Sequence, residues 1–228
     1  MILSGDIELN PGPPCNFKIA HLNCRSLKAA SRRDDIEDLL VSNHKFDIIA
    51  LTETHIDDTV TDSEVEIPNY KIFLKDRNRM GGGVAIYCNV NLEPHRRLDL
   101  EIGNIEMIWV EINVGGRKFL TSSCYRPPGQ NARQITYFLD SLQQSLELAI
   151  DENPTSVVLL GDLNDRCTIW NSNHHQSELK DKLVTMSNLL NLHQLIHEPT
   201  RGNNLLDIIL TSTPSYLKTL EFTHLYLI

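Results

Sequence analysis

The chain is expected to fold as a two-sheet α/β sandwich, and three observations carry that expectation. Short apolar runs rich in β-branched residues recur along it and read as strands. Three stretches among them carry apolar residues at helical spacing. One strand pair is joined by Gly115-Gly116, a hairpin connection, while others are separated by helix, so the sheets mix antiparallel and parallel neighbours. With 228 residues, 41% hydrophobic and 22% charged, the composition is that of a globular protein, and a single domain from about residue 15 is the simplest division.

The strands are expected at 17–23, 47–52, 83–88, 107–114, 119–125, 157–161 and 206–211. Ile36, Leu39 and Leu40 mark a first helix after Ser31. Ile135, Phe138, Leu139, Leu142, Leu146, Ala149 and Ile150 follow the i, i+3, i+4, i+7 pattern of a second. Leu179, Leu183, Met186 and Leu190 stripe a third, with Ser177 as its N-cap. Strand 107–114 alternates: Ile108, Val110, Ile112 and Val114 form its apolar face, opposite Met107, Trp109, Glu111 and Asn113.

Bulk properties narrow the function. A net charge of -9 argues against tight non-specific nucleic-acid binding, although a local basic patch is compatible with it. No apolar run approaches the roughly 20 residues of a membrane helix, and the N-terminus lacks the basic and apolar segments of a secretory signal. Five scattered cysteines without a C-x-x-C pair point to a reducing intracellular compartment rather than to disulfides or zinc.

Chemistry is concentrated at strand ends. Gly161-Asp162-Leu163-Asn164 closes the apolar run 156–160, and ligands of α/β sheets bind at such carboxyl edges. Asp162 and Asn164 are two apart and point the same way in an extended chain. A carboxylate beside a carboxamide suits a hard cation and a phosphate oxygen; an Asx turn is the plainer alternative. Glu53 follows strand 47–52, where it serves either a turn or a second acidic site. Asn23 closes strand 17–23. Asp207 lies among apolar residues in 205–210, where a buried carboxylate must bond backbone groups or orient a histidine. If these strands end on one side, the residues form a carboxylate-lined cation site suited to phosphoryl chemistry.

Together these motifs resemble the exonuclease–endonuclease–phosphatase superfamily, and more closely the apurinic-endonuclease-like domain of non-LTR (LINE-type) retrotransposons. The resemblance runs from about Phe17 to Pro214. It rests on Leu22-Asn23-Cys24-Arg25-Ser26-Leu27, Leu51-Thr52-Glu53-Thr54, Gly81-Gly82-Gly83-Val84-Ala85-Ile86-Tyr87, Tyr125-Arg126-Pro127-Pro128, Gly161-Asp162-Leu163-Asn164, and Pro199-Thr200-Arg201 followed by Leu206-Asp207-Ile208-Ile209-Leu210. It implies a four-layer α/β sandwich of two mixed sheets flanked by helices. It implies Mg2+, with Mn2+ as a substitute, on Glu53 with support from Asn23. Tyr125 would contact the scissile phosphate, Asp162 would align or activate water, Asn164 would hold a phosphate oxygen, and Asp207 would orient a general-base histidine. The activity implied is nicking of one DNA strand to prime reverse transcription. A phosphatase acting on a small phosphorylated substrate, or a non-catalytic nucleic-acid-binding remnant, are the alternatives. DNA is the expected partner, with no membrane and no small-molecule cofactor, for a monomer acting in the nucleus.

The family's terminal Ser-Asp-His motif is absent, so the fold is expected to be C-terminally truncated or altered, with activity compromised. Phe222-Thr223-His224 is the nearest substitute, and His224 is the stand-in for the base. Gly5-Asp6-Ile7-Glu8-Leu9-Asn10-Pro11-Gly12-Pro13 resembles a 2A-like ribosome-skipping peptide, which makes residues 1–14 a flexible leader. For DNA contact, Arg126 adjoins Tyr125, and Thr200 precedes the Asp207 strand. Lys71, Lys75, Arg77 and Arg79 precede the glycines and either neutralise phosphates or form a basic solvated hairpin. Trp170, His174 and His175 either stack on a base or pack locally.

Overall fold

The computed structural model describes residues 18–28, 30–43, 46–77, 80–167, 177–197, 199–201 and 203–214. Two sheets face each other. The smaller has the order β1-β2-β4-β3, from β1 (Ile19–Asn23), β2 (Ile48–Thr52), β3 (Tyr70–Lys75) and β4 (Val84–Asn89). The larger has the order β5-β6-β7-β8-β10-β9. Its strands are β5 (His95–Arg96), β6 (Glu106–Val114), β7 (Arg117–Tyr125), β8 (Ser156–Cys167), β9 (His193–Gln194) and β10 (Leu205–Thr211).

Three apolar clusters define four layers. Ile36 and Leu40 pack with Ile49, Leu51, Ala85 and Tyr87 on the outer face of the smaller sheet. They come from α1 (Ala30–Glu37) and the π-helical turn Asp38–Asn43 that continues it. Ile48, Ala50, Val84 and Ile86 meet Ile108, Val110, Val158, Leu160 and Ile209 between the sheets. α3 (Ala132–Asp151) and α4 (Glu178–Leu189) cover the outer face of the larger sheet through Phe138, Leu142, Leu146, Leu183 and Met186. The short α2 (Asp62–Val65) contributes Val65 to the first cluster. The expected four-layer sandwich is thus the observed fold, and both sheets are covered on both faces.

Local signals explain most elements. The Asn131 side chain accepts from Gln134 N at 3.0 Å and Gln134 Oε1 accepts from Asn131 N at 3.0 Å, a capping box that starts α3. Ser177 Oγ accepts from Lys180 N at 3.0 Å, so it is the N-cap of α4 as expected. Gly115 and Gly116 both have positive φ and join β6 to β7 as a hairpin of the primed type.

Four features differ from expectation. The Met107–Trp109 face of β6 is no solvated face; α3 covers it, and Trp109 Nε1 donates to Ser145 Oγ at 2.8 Å. The segment around Lys71 and Lys75 is neither loop nor free hairpin but the edge strand β3, paired along its length with β4. Its lysines mask the apolar period, and lysine on an edge strand discourages pairing with other chains. The two-residue strands β5 and β9 carry no sequence period of their own. Finally, β8 does not stop at Gly161; it continues to Cys167 past a register shift against β10.

Candidate functional site

The larger sheet sets three of the expected residues side by side. Tyr125 on β7 pairs in parallel register with Asp162 on β8, and Asp162 pairs in antiparallel register with Asp207 on β10. Gly161 permits this approach, because a Cβ there would run into the Cys124 carbonyl of β7. The smaller sheet brings the others. Asn23 pairs with Thr52 in parallel register, one residue before Glu53.

Asp162 is fully buried and is the hub. Its Oδ2 accepts from Asn23 Nδ2 at 2.8 Å and its Oδ1 from Asn164 N at 3.0 Å. Burial, and then the charge of Asp207, raise its pKa from 3.8 to about 6 despite those two hydrogen bonds. Asn164 leaves the extended conformation, with φ 49°, so it does not repeat the direction of Asp162 along a straight strand. Its Nδ2 donates to Arg126 O at 2.9 Å, and its second amide hydrogen has no hydrogen bond among the described residues.

Asp207 is only partly buried, and the histidine beside it is one that the motif reading passes over. His21 Nδ1 lies 3.5 Å from Asp207 Oδ1, and its Nε2 lies 3.4 Å from Thr52 Oγ1. Burial lowers the His21 pKa from 6.5 to about 4, only partly opposed by the Asp162 charge, so the ring is neutral at pH 7. Its partners assign the tautomer: Nδ1–H donates to the carboxylate and Nε2 accepts from the threonine hydroxyl. His21 stands two residues before Asn23 on one strand face, a period-2 relation visible in the sequence.

Glu53 lies beyond the end of β2 with φ 57°, in the left-handed region that non-glycine residues adopt at a cost. Tyr125 OH donates to its Oε1 at 3.4 Å, and His55 Nε2 lies 3.8 Å from its Oε2. Burial, and next the Glu53 charge, raise the Tyr125 phenol well above its usual range, so the hydroxyl stays a donor.

The arginines are engaged inside the protein. Arg126 is 5% exposed. Its Nε donates to Leu163 O at 2.6 Å and its Nη2 to Asn164 O at 2.8 Å, so it clamps the bent end of β8. Arg77 Nε donates to Gly81 O at 2.8 Å, its Nη1 to Glu106 Oε1 at 2.9 Å, and its guanidinium stands 5.9 Å from the Tyr125 ring centre. Thr200 Oγ1 accepts from Leu206 N at 3.0 Å and Asp207 N at 3.1 Å, bracing the start of β10. Glu106 is the second residue that motif reading passes over, although counting back from the Gly115-Gly116 hairpin sets it opposite Tyr125. Arg79, Trp170, His174, His175, His224 and the 1–14 leader lie outside the described residues.

Among the described residues no group of three or more His, Cys, Asp or Glu side chains is arranged to hold a metal. A site of one carboxylate plus an amide oxygen falls below that count, and here it fits a hard cation. Asn23 Oδ1 is buried without a hydrogen-bond partner, while the same side chain's Nδ2 is held by Asp162. A buried orphan carbonyl beside the Glu53 loop is an oxygen donor of the kind Mg2+ takes, with water completing its shell. Among the described residues Cys24, Cys88 and Cys124 are buried free thiols, and no helix is long and apolar enough to cross a membrane.

Comparisons with known proteins agree with this geometry. The endonuclease domain of TRAS1, a telomere-specific non-LTR retrotransposon, superposes with a TM-score of 0.63 at 19% identity, over 86% of this chain and 84% of that chain. An AP endonuclease from Archaeoglobus fulgidus gives 0.63 at 16% identity, over 90% of each chain. The 3′ phosphatase NExo from Neisseria, bound to product DNA hairpin, gives 0.63 at 17% identity, over 89% of each chain. At these identities the likeness is one of fold. No curated protein matches the sequence. The model of the Endonuclease/Exonuclease/phosphatase family matches residues 19–219, most of the chain, and this protein belongs to that family.

Proposed function

We propose that this chain is the divalent-metal-dependent endonuclease domain of a non-LTR retrotransposon. It nicks one strand of target DNA by phosphodiester hydrolysis and leaves a 3′-hydroxyl that primes reverse transcription. The observation that carries this reading is the meeting of Glu53, Asn23, Tyr125, Asp162, Asn164 and Asp207 at one end of two facing sheets, with Asn23 Oδ1 left unpartnered. Glu53 and Asn23 would hold Mg2+, with Mn2+ as a substitute. The bound cation supplies Lewis-acid polarisation of the phosphoryl group and stabilisation of the leaving oxygen.

The chain's own groups divide the remaining work. Asp162 has both oxygens oriented by Asn23 and Asn164 N and retains lone pairs for a water. The second amide hydrogen of Asn164 and the Tyr125 hydroxyl are donors for phosphate oxygens. His21, with both ring nitrogens engaged, braces Asp207 rather than removing a proton. Proton abstraction then falls to Asp162 or to His224, and His224→Ala separates the two. Under this reading the protein works as a monomer on nuclear DNA, and the 5–13 segment is a 2A-like peptide. In vitro translation behind a reporter, with release of the reporter at Gly12–Pro13, tests that last point.

The deciding experiment is conversion of supercoiled plasmid to open circle with Mg2+ and with EDTA, alongside Glu53→Ala. Mg2+-dependent nicking lost in the variant supports the reading. Folded protein that binds plasmid without nicking marks a non-catalytic remnant. Phosphate release from an inositol phosphate, without nicking, marks a phosphatase of the same family.

A further inference from the structure

We infer that Glu106 is a positioning residue for Glu53, acting from two sides at once. The inference rests on Glu53 being the metal ligand of the proposed nuclease. Glu106 opens β6 directly opposite Tyr125, and its side chain is 13% exposed. A carboxylate so far removed from water needs compensation, and both its oxygens have it. Oε2 accepts from Gly83 N, and Oε1 accepts from Arg77 Nη1 at 2.9 Å.

Each oxygen starts a path to Glu53. Through Oε2, Glu106 fixes the strap Gly81–Gly83. That strap holds the loop after β2, because His55 N donates to Gly82 O at 3.0 Å and Thr54 N to Gly83 O at 3.4 Å. Gly83 has φ 85°, and a Cβ there would run into Thr54 Oγ1, so strap and loop are packed backbone against side chain. Through Oε1, Glu106 holds Arg77, whose guanidinium faces the Tyr125 ring, and the Tyr125 hydroxyl donates to Glu53 Oε1. Glu53 sits at positive φ, a conformation that persists only when its surroundings impose it. The two paths from Glu106 are those surroundings on the strap and Tyr125 sides. They also account for Arg77, a basic residue beside the site whose donors point inward.

The test uses the full chain and Mn2+ as a spectroscopic probe. Titration of free Mn2+ by electron paramagnetic resonance is compared for the parent, Glu53→Ala, Glu106→Gln and Arg77→Gln, with melting curves for each. Glu106→Gln keeps an acceptor for one arm only. It is expected to weaken Mn2+ binding about 10–100-fold, as for partners that orient metal ligands. The Mg2+ concentration for half-maximal nicking should rise by the same factor, while KM for plasmid at saturating metal stays unchanged. Arg77→Gln, at a half-exposed position, should move binding the same way by a smaller factor. Unchanged Mn2+ affinity in Glu106→Gln overturns the inference; if that variant does not fold, unchanged affinity in Arg77→Gln does so. A parent that binds Mn2+ through Glu53 without nicking overturns the nuclease reading, and the Mn2+ series still decides the role of Glu106.

Discussion

The two halves of the site are held in different ways. Tyr125, Asp162 and Asp207 form a row across three neighbouring strands of the larger sheet, and ladder register sets their spacing. A one-residue slip would turn every side chain of a strand to the opposite face, so register is strongly specified where both faces are buried. Glu53 stands outside any strand, at positive φ, on a loop held between the exit of β1 and the glycine strap. There Ser26 N donates to Glu53 O and Leu27 N to Thr54 O, both at 2.8 Å, on one side, and Gly82 and Gly83 accept on the other. The half that would align water is thus built from secondary structure, and the half that would bind metal from tertiary contacts. Damage to the first should appear as lost chemistry or lost stability, and damage to the second as lost metal affinity.

The largest expected effect is that of Glu53→Ala. A metal ion contributes several kcal/mol to the transition state, so plasmid nicking should fall on the order of 10³-fold. The melting temperature should stay within roughly 2 °C of the parent, because the side chain braces nothing else in the core. An equal loss of stability would contradict the metal-ligand assignment.

Asp162→Asn should lower nicking roughly 10²–10⁴-fold, the range for a group that handles the proton. It should also stabilise the fold at neutral pH. Burial and Asp207 raise the Asp162 pKa from 3.8 to about 6. A carboxyl group whose folded pKa exceeds its unfolded one contributes stability present below about pH 4 and lost as pH rises through 6. The advantage of asparagine should therefore be largest at pH 7 and vanish near pH 4, as read from melting curves in EDTA. An asparagine variant less stable than the parent at pH 7 would show that the Asn23 and Asn164 hydrogen bonds outweigh desolvation.

Two substitutions sharpen the contrast between halves. Leu160→Ala empties part of the core between the sheets and should cost about 2–5 kcal/mol in a denaturant titration, with metal half-saturation unchanged in the folded protein. Gly83→Ala strains the strap and should cost less, about 1–3 kcal/mol, while raising the Mg2+ needed for half-maximal nicking. The opposite pattern, metal affinity lost with Leu160 and kept with Gly83, would refute the division. The smallest effect is that of Tyr125→Phe on stability. Loss of one long hydrogen bond should cost about 0.5–1.5 kcal/mol.

Much of this architecture is legible in the chain. Apolar runs ending in Asn23, Thr52-Glu53 and Gly161-Asp162, with the Asp207 run, show both the strands and the polar residues that terminate or interrupt them. Ser177 and Asn131-Gln134 mark helix starts because capping is local chemistry. β3 escapes because Lys71 and Lys75 interrupt its period, and its strand character comes from pairing with β4. The covered Met107–Trp109 face escapes because α3, remote in sequence, supplies the cover.

The site divides along the same line. The sequence alone determines which residues end on strand edges, and even that Glu106 faces Tyr125, since hairpin register follows from the Gly115-Gly116 turn. Only the tertiary structure decides that His21 rather than a neighbouring backbone group meets Asp207, and that Arg126 clamps β8. It alone turns Arg77 inward to Glu106 and holds Glu53 at positive φ. Those choices depend on which groups lose water together when two sheets close, and short-range periodicity carries no record of that pairing.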